Sequence, residues 1–339
     1  MDPIALIYTD FHIKPDNVES VSALCKEAIQ IANKYSIENH IWLGDVFDNR
    51  VSQRESVLNG LTQIIEMYDK VNHRIYCIPG NHDKTDYSSR NSFLHPYKYH
   101  PSFDLIDDLD YRMIGGKECF FLPFFSDEIM MENIECFAGS KDFLFGHFAV
   151  TGSKNNDGSE VESRIKPSLF KAFKKVFLGH YHNQQDINPN IVHLGSLQQN
   201  NFGEDDRKGF WLLYSDGTIE LITSKIGQTF KKLKIDLSNL TQKQAVSMID
   251  KFKEDNPGAR LRVEVCGETA AVKAFDKTRF QGIDIKKKYE EIDVDLNIDN
   301  IDIKTLSQQD IIDKFKLFCE ENEYNYNEGL IILKEILCQ

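Results

Sequence analysis

Short hydrophobic runs alternate with amphipathic stretches along the first quarter of the chain. The runs at residues 4–9, 40–45 and 74–83 are typical of buried strands. Between them, residues 16–35 and 53–71 repeat apolar side chains at helical spacing and contain no proline. Strands that alternate with helices are the pattern of βαβ units, so we expect an α/β fold built in layers.

Later hydrophobic runs are separated by shorter connections. They lie at residues 119–124, 142–147, 175–180 and 191–196. Residues 209–222 fit a hairpin that turns at Asp216 and Gly217. We therefore predict one α/β domain over residues 1–225, with at least two sheets.

The composition changes near residue 226. Residues 226–303 contain short strand and helix patterns, including a helix at 242–254, and are predicted to form a small separate α/β domain. Residues 304–339 carry two apolar helix patterns, and Ser307 with Asp310 fits a capping box at the start of the first. We expect this tail to form a helical hairpin that packs on its own domain or docks on a partner.

Composition narrows the cellular setting. The 339 residues are 41% hydrophobic, which suffices for a packed core. The sequence contains no run of eighteen apolar residues, so no membrane span is predicted. The seven cysteines include no CxxC pair, so we expect a reducing cytoplasm. A composition rich in lysine, asparagine and isoleucine suits a phage or a low-GC bacterium. The net charge of −13 makes the chain a poor non-specific binder of nucleic acid, because that affinity comes from lysine and arginine.

Five hydrophobic runs end in clusters of acids, amides and histidines. In chain order the clusters contain Asp10 and His12; Asp45 and Asp48; Asn81, His82 and Asp83; His147; and His180 and His182. In four of the five, a glycine precedes the first polar residue, which allows a sharp turn and a close backbone approach. Open α/β sheets bind ligands outside the carboxyl ends of their strands, so we expect these side chains to converge.

Seven of these side chains are suitable metal ligands. Carboxylate, amide and imidazole ligands without a thiolate favour Mn²⁺, Fe²⁺ or Zn²⁺ in a catalytic site. Seven ligands exceed the need of one ion, so we predict two divalent ions with Asp45 as the best candidate to bridge them. Such a pair lowers the pKa of a bridging water and clamps the oxygens of an in-line displacement at a phosphate ester.

The ordered set resembles the calcineurin-like metallophosphoesterases, whose pattern is DxH, GDxxD, GNH[DE], GH and GHxH. The resemblance covers residues 4–225 and implies a four-layer α/β/β/α core. It divides the ligands into one set of Asp10, His12, Asp45 and His182 and a second set of Asp45, Asn81, His147 and His180. His82 matches the general acid of the family, and Asp48 matches the residue that orients this histidine and raises its basicity.

A narrower likeness rests on the stretches "GDVFDNR", "LGHYHNQQ" and "GSLQQNNFGEDDRKGF". They are similar to the nuclease subunit of SbcC–SbcD complexes, to phage recombination endonuclease subunits and to meiotic recombination nucleases. The likeness implies Mn²⁺-dependent 3′→5′ exonuclease and single-strand endonuclease activity on DNA ends in repair and recombination. It also implies that residues 226–303 form a capping domain and that the helical element at 304–339 binds a coiled-coil ATPase of the SbcC type.

The same likeness suggests how the subunits share the work. The chain has no G-x-x-x-x-G-K-[ST] sequence, so the ATPase would handle ATP and would hold much of the DNA. The helix at 53–71 falls where the family forms its nuclease homodimer, so its apolar residues are candidates for that interface.

Two other functions stay open. The same core serves phosphomonoesterases and cyclic-nucleotide phosphodiesterases. Protein phosphatases of the superfamily place arginine directly after the GDxxD pair, whereas this chain has Asn49 there, followed by Arg50. A scaffold that has lost its metals is disfavoured, because every ligand position is filled.

The remaining polar residues carry weaker predictions. Asp83 fits a helix N-cap as well as a catalytic role, and His193 is interpreted as a structural or supporting residue. The polar stretch at 151–166 is a flexible loop that could border the site, and the basic stretch at 285–291 is interpreted as a solvated face. Four histidines are interpreted as polar-loop residues without chemistry: His40, His73, His95 and His100.

Overall fold

A computed structural model of the chain describes residues 2–289, apart from 136, 138, 156 and 157, and residue 316 beyond them. Met1–Lys288 forms one compact unit and Tyr289–Gln339 a second. The expected elements of the tail, including the Ser307 cap and the helical hairpin, lie outside the described residues. The boundaries at 225/226 and 303/304 therefore stay predictions. Within the described part of the chain, no helix is both long and apolar enough to cross a membrane.

The described residues form fifteen strands and five α-helices. In chain order the strands are β1 (Pro3–Tyr8), β2 (Asn39–Trp42), β3 (Arg74–Cys77), β4 (Phe103–Leu105), β5 (Asp110–Ile114), β6 (Lys117–Leu122), β7 (Lys141–Gly146), β8 (Phe173–Leu178), β9 (Gln185–Asn188), β10 (Ile191–His193), β11 (Gly209–Tyr214), β12 (Ile219–Thr223), β13 (Phe230–Asp236), β14 (Arg260–Cys266) and β15 (Ile283–Lys287). The helices are α1 (Val18–Tyr35), α2 (Glu55–Asp69), α3 (Asp127–Glu135), α4 (Gln242–Asp255) and α5 (Thr269–Ala274).

Two six-stranded mixed sheets build the larger part of the fold. The first has the order β12-β11-β1-β2-β3-β4, in which β1 to β4 are parallel and β11 is antiparallel to β1. The second has the order β5-β6-β7-β8-β10-β9, in which β6, β7, β8 and β10 are parallel. Parallel strands place their carboxyl ends on one side of a sheet, which is where ligands bind in such folds.

The two sheets pack face to face, and helices cover their outer faces. An apolar layer that includes Ile7, Ile41, Phe121, Phe145 and Phe177 lies between the sheets. Helices α1 and α2 pack on the first sheet, whereas α3 and a 3₁₀ turn at Pro167–Phe170 pack on the second. The predicted four-layer α/β/β/α core is confirmed.

Helices α1 and α2 each bury one apolar face. Val21, Leu24 and Ala28 of α1 recur at helical spacing and are buried, and the helix ends where Ser36 adopts a left-handed φ of 56°. In α2, most of the apolar residues considered for a dimer are buried within the chain itself: Val57, Leu61, Ile64, Ile65 and Tyr68. Leu58 and Met67 are partly buried, so a dimer through this helix would rest on these two residues and the polar positions.

The third sheet is a small parallel sheet of order β13-β14-β15. Its core includes Ile235, Val263 and Val265 from the strands, and Ile249 from α4. Residues 285–287 lie on β15, which pairs with β14 at the edge of this sheet. Lys286 and Lys288 are exposed, in agreement with the solvated face predicted for this stretch.

Two histidines interpreted as loop residues are buried instead. His40 lies on β2 and is fully buried, and its Nε2 is 3.0 Å from Nδ1 of His73. Its Nδ1 is 3.1 Å from Oη of Tyr8, which in turn lies 2.6 Å from Oη of Tyr68. These four side chains form a polar chain inside the layer between the first sheet and its helices.

Candidate metal centre

Five loops meet at one site, and each follows a parallel strand of one of the two large sheets. Asp10 and His12 follow β1, Asp45 follows β2, Asn81 and His82 follow β3, His147 follows β7, and His180 and His182 follow β8. The first sheet thus supplies three loops and the second supplies two. The structure brings together all seven residues predicted as ligands.

The loops approach each other through their backbones. The N–H of Asp10 donates to the carbonyl of Gly44 at 3.1 Å, and the N–H of His12 donates to the carbonyl of Asp45 at 3.0 Å. A Cβ on Gly44, whose φ is +85°, would lie 2.6 Å from the nitrogen of Gly80. A side chain at this position would therefore push two motif loops apart, which confirms the close approach predicted for these glycines.

Several site residues hold a backbone conformation that L-residues rarely adopt. Asp10, His12, Asp45 and His180 have φ of 54°, 46°, 48° and 85°. They are four of the six non-glycine residues with positive φ in the described part of the chain. Such strain persists only where the surroundings enforce it, and it concentrates at functional sites.

One cluster consists of Asp10, His12 and His182. Nε2 of His12 and Nε2 of His182 lie 2.9 Å apart, and Oδ1 of Asp10 lies 3.9 and 3.7 Å from them. Nδ1 of His182 is 2.8 Å from the buried carboxylate of Glu204. Because a carboxylate accepts, His182 donates from Nδ1 and directs the lone pair of Nε2 into the cluster.

A second cluster consists of Asp45, His147 and His180, joined by Asn81. Nε2 of His147 lies 3.3 Å from Oδ2 of Asp45 and 3.2 Å from Oδ1 of Asn81. The same amide oxygen is 3.0 Å from Nδ1 of His180. His147 donates its Nδ1–H to the carbonyl of Leu43 at 2.5 Å, which directs its Nε2 at these oxygens.

Burial and neighbouring charges shift the pKa values of the residues in the second cluster. Burial opposes protonation of His147, but the Asp45 carboxylate outweighs it and raises the pKa of His147 to about 9. Burial likewise opposes ionisation of Asp45, and His147 nevertheless holds the pKa of this carboxyl well below its usual range. Burial, reinforced by the charge of His147, lowers the pKa of His180 to about 3. His180 is therefore a neutral imidazole, the form that binds metals.

The sequence model of the calcineurin-like phosphoesterases matches residues 5–184 of the chain. The chain belongs to the calcineurin-like phosphoesterase family. Its members are metal-dependent hydrolases of phosphate esters, and the matched residues span the loops that form both clusters.

Two viral proteins are similar to this family member over much of their length. "Putative phosphoesterase 244L" of Invertebrate iridescent virus 6 is 22% identical, over 82% of this chain and 99% of its own length. "Putative phosphoesterase 078R" of Invertebrate iridescent virus 3 is 21% identical, over 59% of this chain and 58% of its own length. A solved structure of an archaeal phosphodiesterase matches 48% of this chain and 82% of its own, with 20% identity and a TM-score of 0.27.

The residues of the two clusters fit divalent cations. Oδ1 of Asp10 is buried without a hydrogen-bond partner, so a bound cation would satisfy an otherwise costly carboxylate oxygen. Nδ1 of His182 and Nδ1 of His147 donate to Glu204 and Leu43, so Nε2 of each ring faces its cluster. Bound there, divalent ions would supply an acidified water and charge stabilisation at a phosphate ester. Asp45 lies in contact with residues of both clusters, which suits the predicted bridging ligand.

His82, the predicted general acid, lies at the edge of the clusters and is partly exposed. Its Nδ1 is 2.6 Å from the backbone carbonyl of Asp48, to which it donates. Nε2 therefore acts as an acceptor, and it accepts from Arg50 at 2.7 Å. The carboxylate of Asp48 instead lies 3.5 Å from Nδ1 of His12. The predicted orientation of His82 is thus provided by the main chain of Asp48, and the side chain of Asp48 supports His12.

Asp83 ties the motif loops together. Its buried carboxylate accepts from the backbone N–H groups of Gly80 at 2.8 Å, Phe47 at 2.9 Å and Val46 at 3.3 Å. Of the two roles considered for Asp83, the geometry therefore favours capping of backbone donors, shared between the loops after β2 and β3.

Glu204 and Arg50 were not identified as site residues from the sequence. Both stand in stretches quoted for the narrower likeness, but no spacing rule separates an acid that supports a histidine 22 positions away from a surface acid. Burial of Glu204 opposes its ionisation, yet its bonds to His182 and to Lys208 keep the pKa of Glu204 below its usual value. Glu204 is thus a carboxylate that fixes the orientation of a predicted ligand.

Proposed function

We propose that this phosphoesterase is the nuclease subunit of an SbcC–SbcD-type complex. Its metal centre would cleave DNA ends by 3′→5′ exonuclease and single-strand endonuclease reactions, with two ions, most suitably Mn²⁺. The proposal extends to a homodimer and to a coiled-coil ATPase bound through residues 304–339. His82 would protonate the leaving oxygen from Nε2, once this nitrogen, which accepts from Arg50 in the free protein, has taken up a proton.

The observation that carries this proposal is the position of the stretch "GSLQQNNFGE", residues 195–204. Its last residue, Glu204, holds His182. Earlier in the stretch, Oε1 of Gln199 accepts from the N–H of Phe230 at 2.8 Å, and Oε1 of Gln198 accepts from the N–H of Gln228 at 2.9 Å. The segment on which the SbcD likeness rests thus links the metal centre directly to the first strand of the third sheet.

A small-substrate phosphoesterase or a cyclic-nucleotide phosphodiesterase is the second candidate. The net charge of −13 favours it, because an acidic chain gains little from DNA phosphates without a basic partner. The two candidates differ in what the chain cleaves in the absence of that partner.

The substrates therefore decide between them. The full chain with Mn²⁺ is expected to shorten a 5′-labelled linear duplex from its 3′ ends and to nick a circular single strand, with little turnover of 4-nitrophenyl phosphate or 2′,3′-cyclic AMP. His82→Asn is the control for contaminating nuclease, and it should lower DNA cleavage by roughly 10²–10⁴-fold. Rapid turnover of the small esters with intact DNA would establish the second candidate instead.

The partner is tested by co-purification. A co-expressed SbcC-type ATPase is expected to be retained by the full chain and by His82→Asn, but not by a chain that ends at residue 303. Equal retention by the shortened chain would contradict the role proposed for residues 304–339.

A further inference from the structure

A cleft of about 280 Å³ opens beside the metal centre, on the side of Asn81 and His180. Tyr87 and Phe124 line one part of it, and Arg50 lies at the part nearest His82. The rest of the centre presents carboxylates and imidazoles, whereas this cleft presents aromatic rings. Its chemistry therefore suits a part of the substrate other than the phosphate.

The aromatic rings expose usable surface. The ring of Phe124 lies nearly parallel to the imidazole of His180, at 24° and 6.4 Å between centroids. The ring of Tyr87 meets Phe124 edge to face, at 83° and 4.9 Å. Both aromatic side chains are only partly buried, so a planar group can contact them from the cleft.

Four buried apolar side chains line the cleft. Phe125, Met130, Phe148 and Ile165 all line it and are at most 3% exposed. Apolar pockets with a few polar groups are the usual form of a small-molecule site, and a volume of about 280 Å³ lies just below their usual range of about 300–1,000 Å³. One ring system fits such a space better than an extended ligand.

The aromatic wall is held in place by a buried lysine. Nζ of Lys84 donates to the carbonyl of Phe124 at 2.7 Å and to the carbonyl of Ser89 at 3.0 Å, and it lies 3.7 Å from the ring centroid of Phe125. Lys84 is 1% exposed. Burying an ammonium group costs free energy, and the two hydrogen bonds of Lys84 offset part of that cost while they fix the backbone of Phe124. The N–H of Ser126 also donates to the carbonyl of Tyr87 at 3.0 Å, which couples the two aromatic segments.

We propose that the cleft between Tyr87, Phe124 and Ile165 binds the base of the nucleotide whose phosphate is cleaved at the metal centre. The proposal deepens the proposed nuclease function and rests on it. A nucleobase is planar and has two apolar faces and a polar edge, which matches a cleft lined by aromatic rings together with the polar side chains of Arg50, Asp127 and Ser163. Because stacking on an aromatic face accepts every base, the cleft provides affinity without sequence preference.

Two model diesters isolate the contribution of the base. Thymidine 5′-(4-nitrophenyl phosphate) and methyl 4-nitrophenyl phosphate share the leaving group and differ in the nucleoside. For the wild-type full chain with Mn²⁺, we expect a kcat/KM about 10-fold or more higher for the thymidine ester. In Phe124→Leu and in Tyr87→Leu, the ratio of the two kcat/KM values should fall about 5-fold or more, towards 1, because stacking of one base is worth about 1–3 kcal/mol. Tyr99→Leu, at a 92% exposed tyrosine, is the control that keeps the wild-type ratio.

The outcomes separate this inference from the proposed function. Equal kcat/KM for both esters in the wild-type chain, or an unchanged ratio in both cleft variants, would overturn the base-binding cleft even if DNA is cleaved. The wild-type ratio needs no variant, so misfolding of Phe124→Leu cannot hide a negative result. A strong thymidine preference together with intact DNA would support the cleft and would overturn only the nuclease assignment.

Discussion

Four residues at the metal centre keep a left-handed backbone although none is glycine. Each costs roughly 1–3 kcal/mol of strain, and Asp10, His12, Asp45 and His180 all direct side chains into the two clusters. The hydrogen bonds between motif loops, such as that from Asp10 to Gly44, are what hold this conformation. The strained backbone thus lowers the stability of these loops, and in return candidate ligands from distant parts of the chain face one point.

Glu204 gives the sharpest test of this preorganisation at a single residue. Glu204→Ala removes the acceptor for Nδ1 of His182, so the imidazole loses its fixed tautomer and orientation. We expect the Mn²⁺ affinity, measured by isothermal titration calorimetry, to fall about 10- to 100-fold. Glu204→Gln should recover part of it, since its amide oxygen can still accept. Asp205→Asn, which changes the neighbouring exposed acid, should leave the affinity unchanged, and equal affinity in Glu204→Ala would show that His182 needs no support.

The elements of the core follow local rules, which is why the sequence predicted many of them. β1, α1, β2, α2 and β3 lie where hydrophobic periodicity placed them, and the motif residues follow the strand ends as expected. The periodicity of β15 was masked by consecutive lysines, whose apolar stems fit an edge strand. Glu204, Arg50 and the aromatic wall at Phe124 depend on contacts between distant segments, and no local pattern encodes such contacts.

His40 on β2 is a buried titratable group that the local sequence did not indicate. The "NHIW" run of β2 gives no sign that this histidine faces Tyr8 rather than solvent. Burial, reinforced by His73, lowers the pKa of His40 well below its usual value, so the native protein keeps it neutral. The unfolded chain binds a proton there below about pH 6.5. His40 therefore contributes stability above that pH, and the contribution is lost as the pH falls towards the native pKa.

The prediction concerns the slope of stability against pH. In urea unfolding from pH 7 to pH 5, the wild-type chain should lose free energy of unfolding more steeply than His40→Gln. The difference should approach about 1.4 kcal/mol per pH unit, the value for one proton. Glutamine keeps an acceptor and a donor for Tyr8 and His73, so the variant is expected to fold. Parallel curves for the two proteins would mean that His40 is protonated in the native state.

At the scale of the whole molecule, the metal centre is where separate layers meet. Loops of both large sheets supply its candidate ligands, and residues 195–204 connect it to the third sheet through Gln198 and Gln199. Asp10 and Asp45 are both buried there, in a chain of net charge −13. Cations at this point would relieve the repulsion between the acids and hold the two sheets together at one edge.

Divalent cations should therefore stabilise the folded protein as well as support its phosphoesterase activity. A ligand that binds only the native state adds about 2.7 kcal/mol at 100 times its Kd, so Mn²⁺ should raise the Tm of the chelator-treated protein by several degrees. Asp45→Asn should abolish most of this increment, because Asp45 contacts both clusters, while Asp205→Asn should retain it. The comparison uses the difference in Tm with and without Mn²⁺, so any change in the intrinsic stability of a variant cancels. An equal increment in Asp45→Asn would place the stabilising ion away from the two clusters and would separate metal-dependent folding from the phosphoesterase centre.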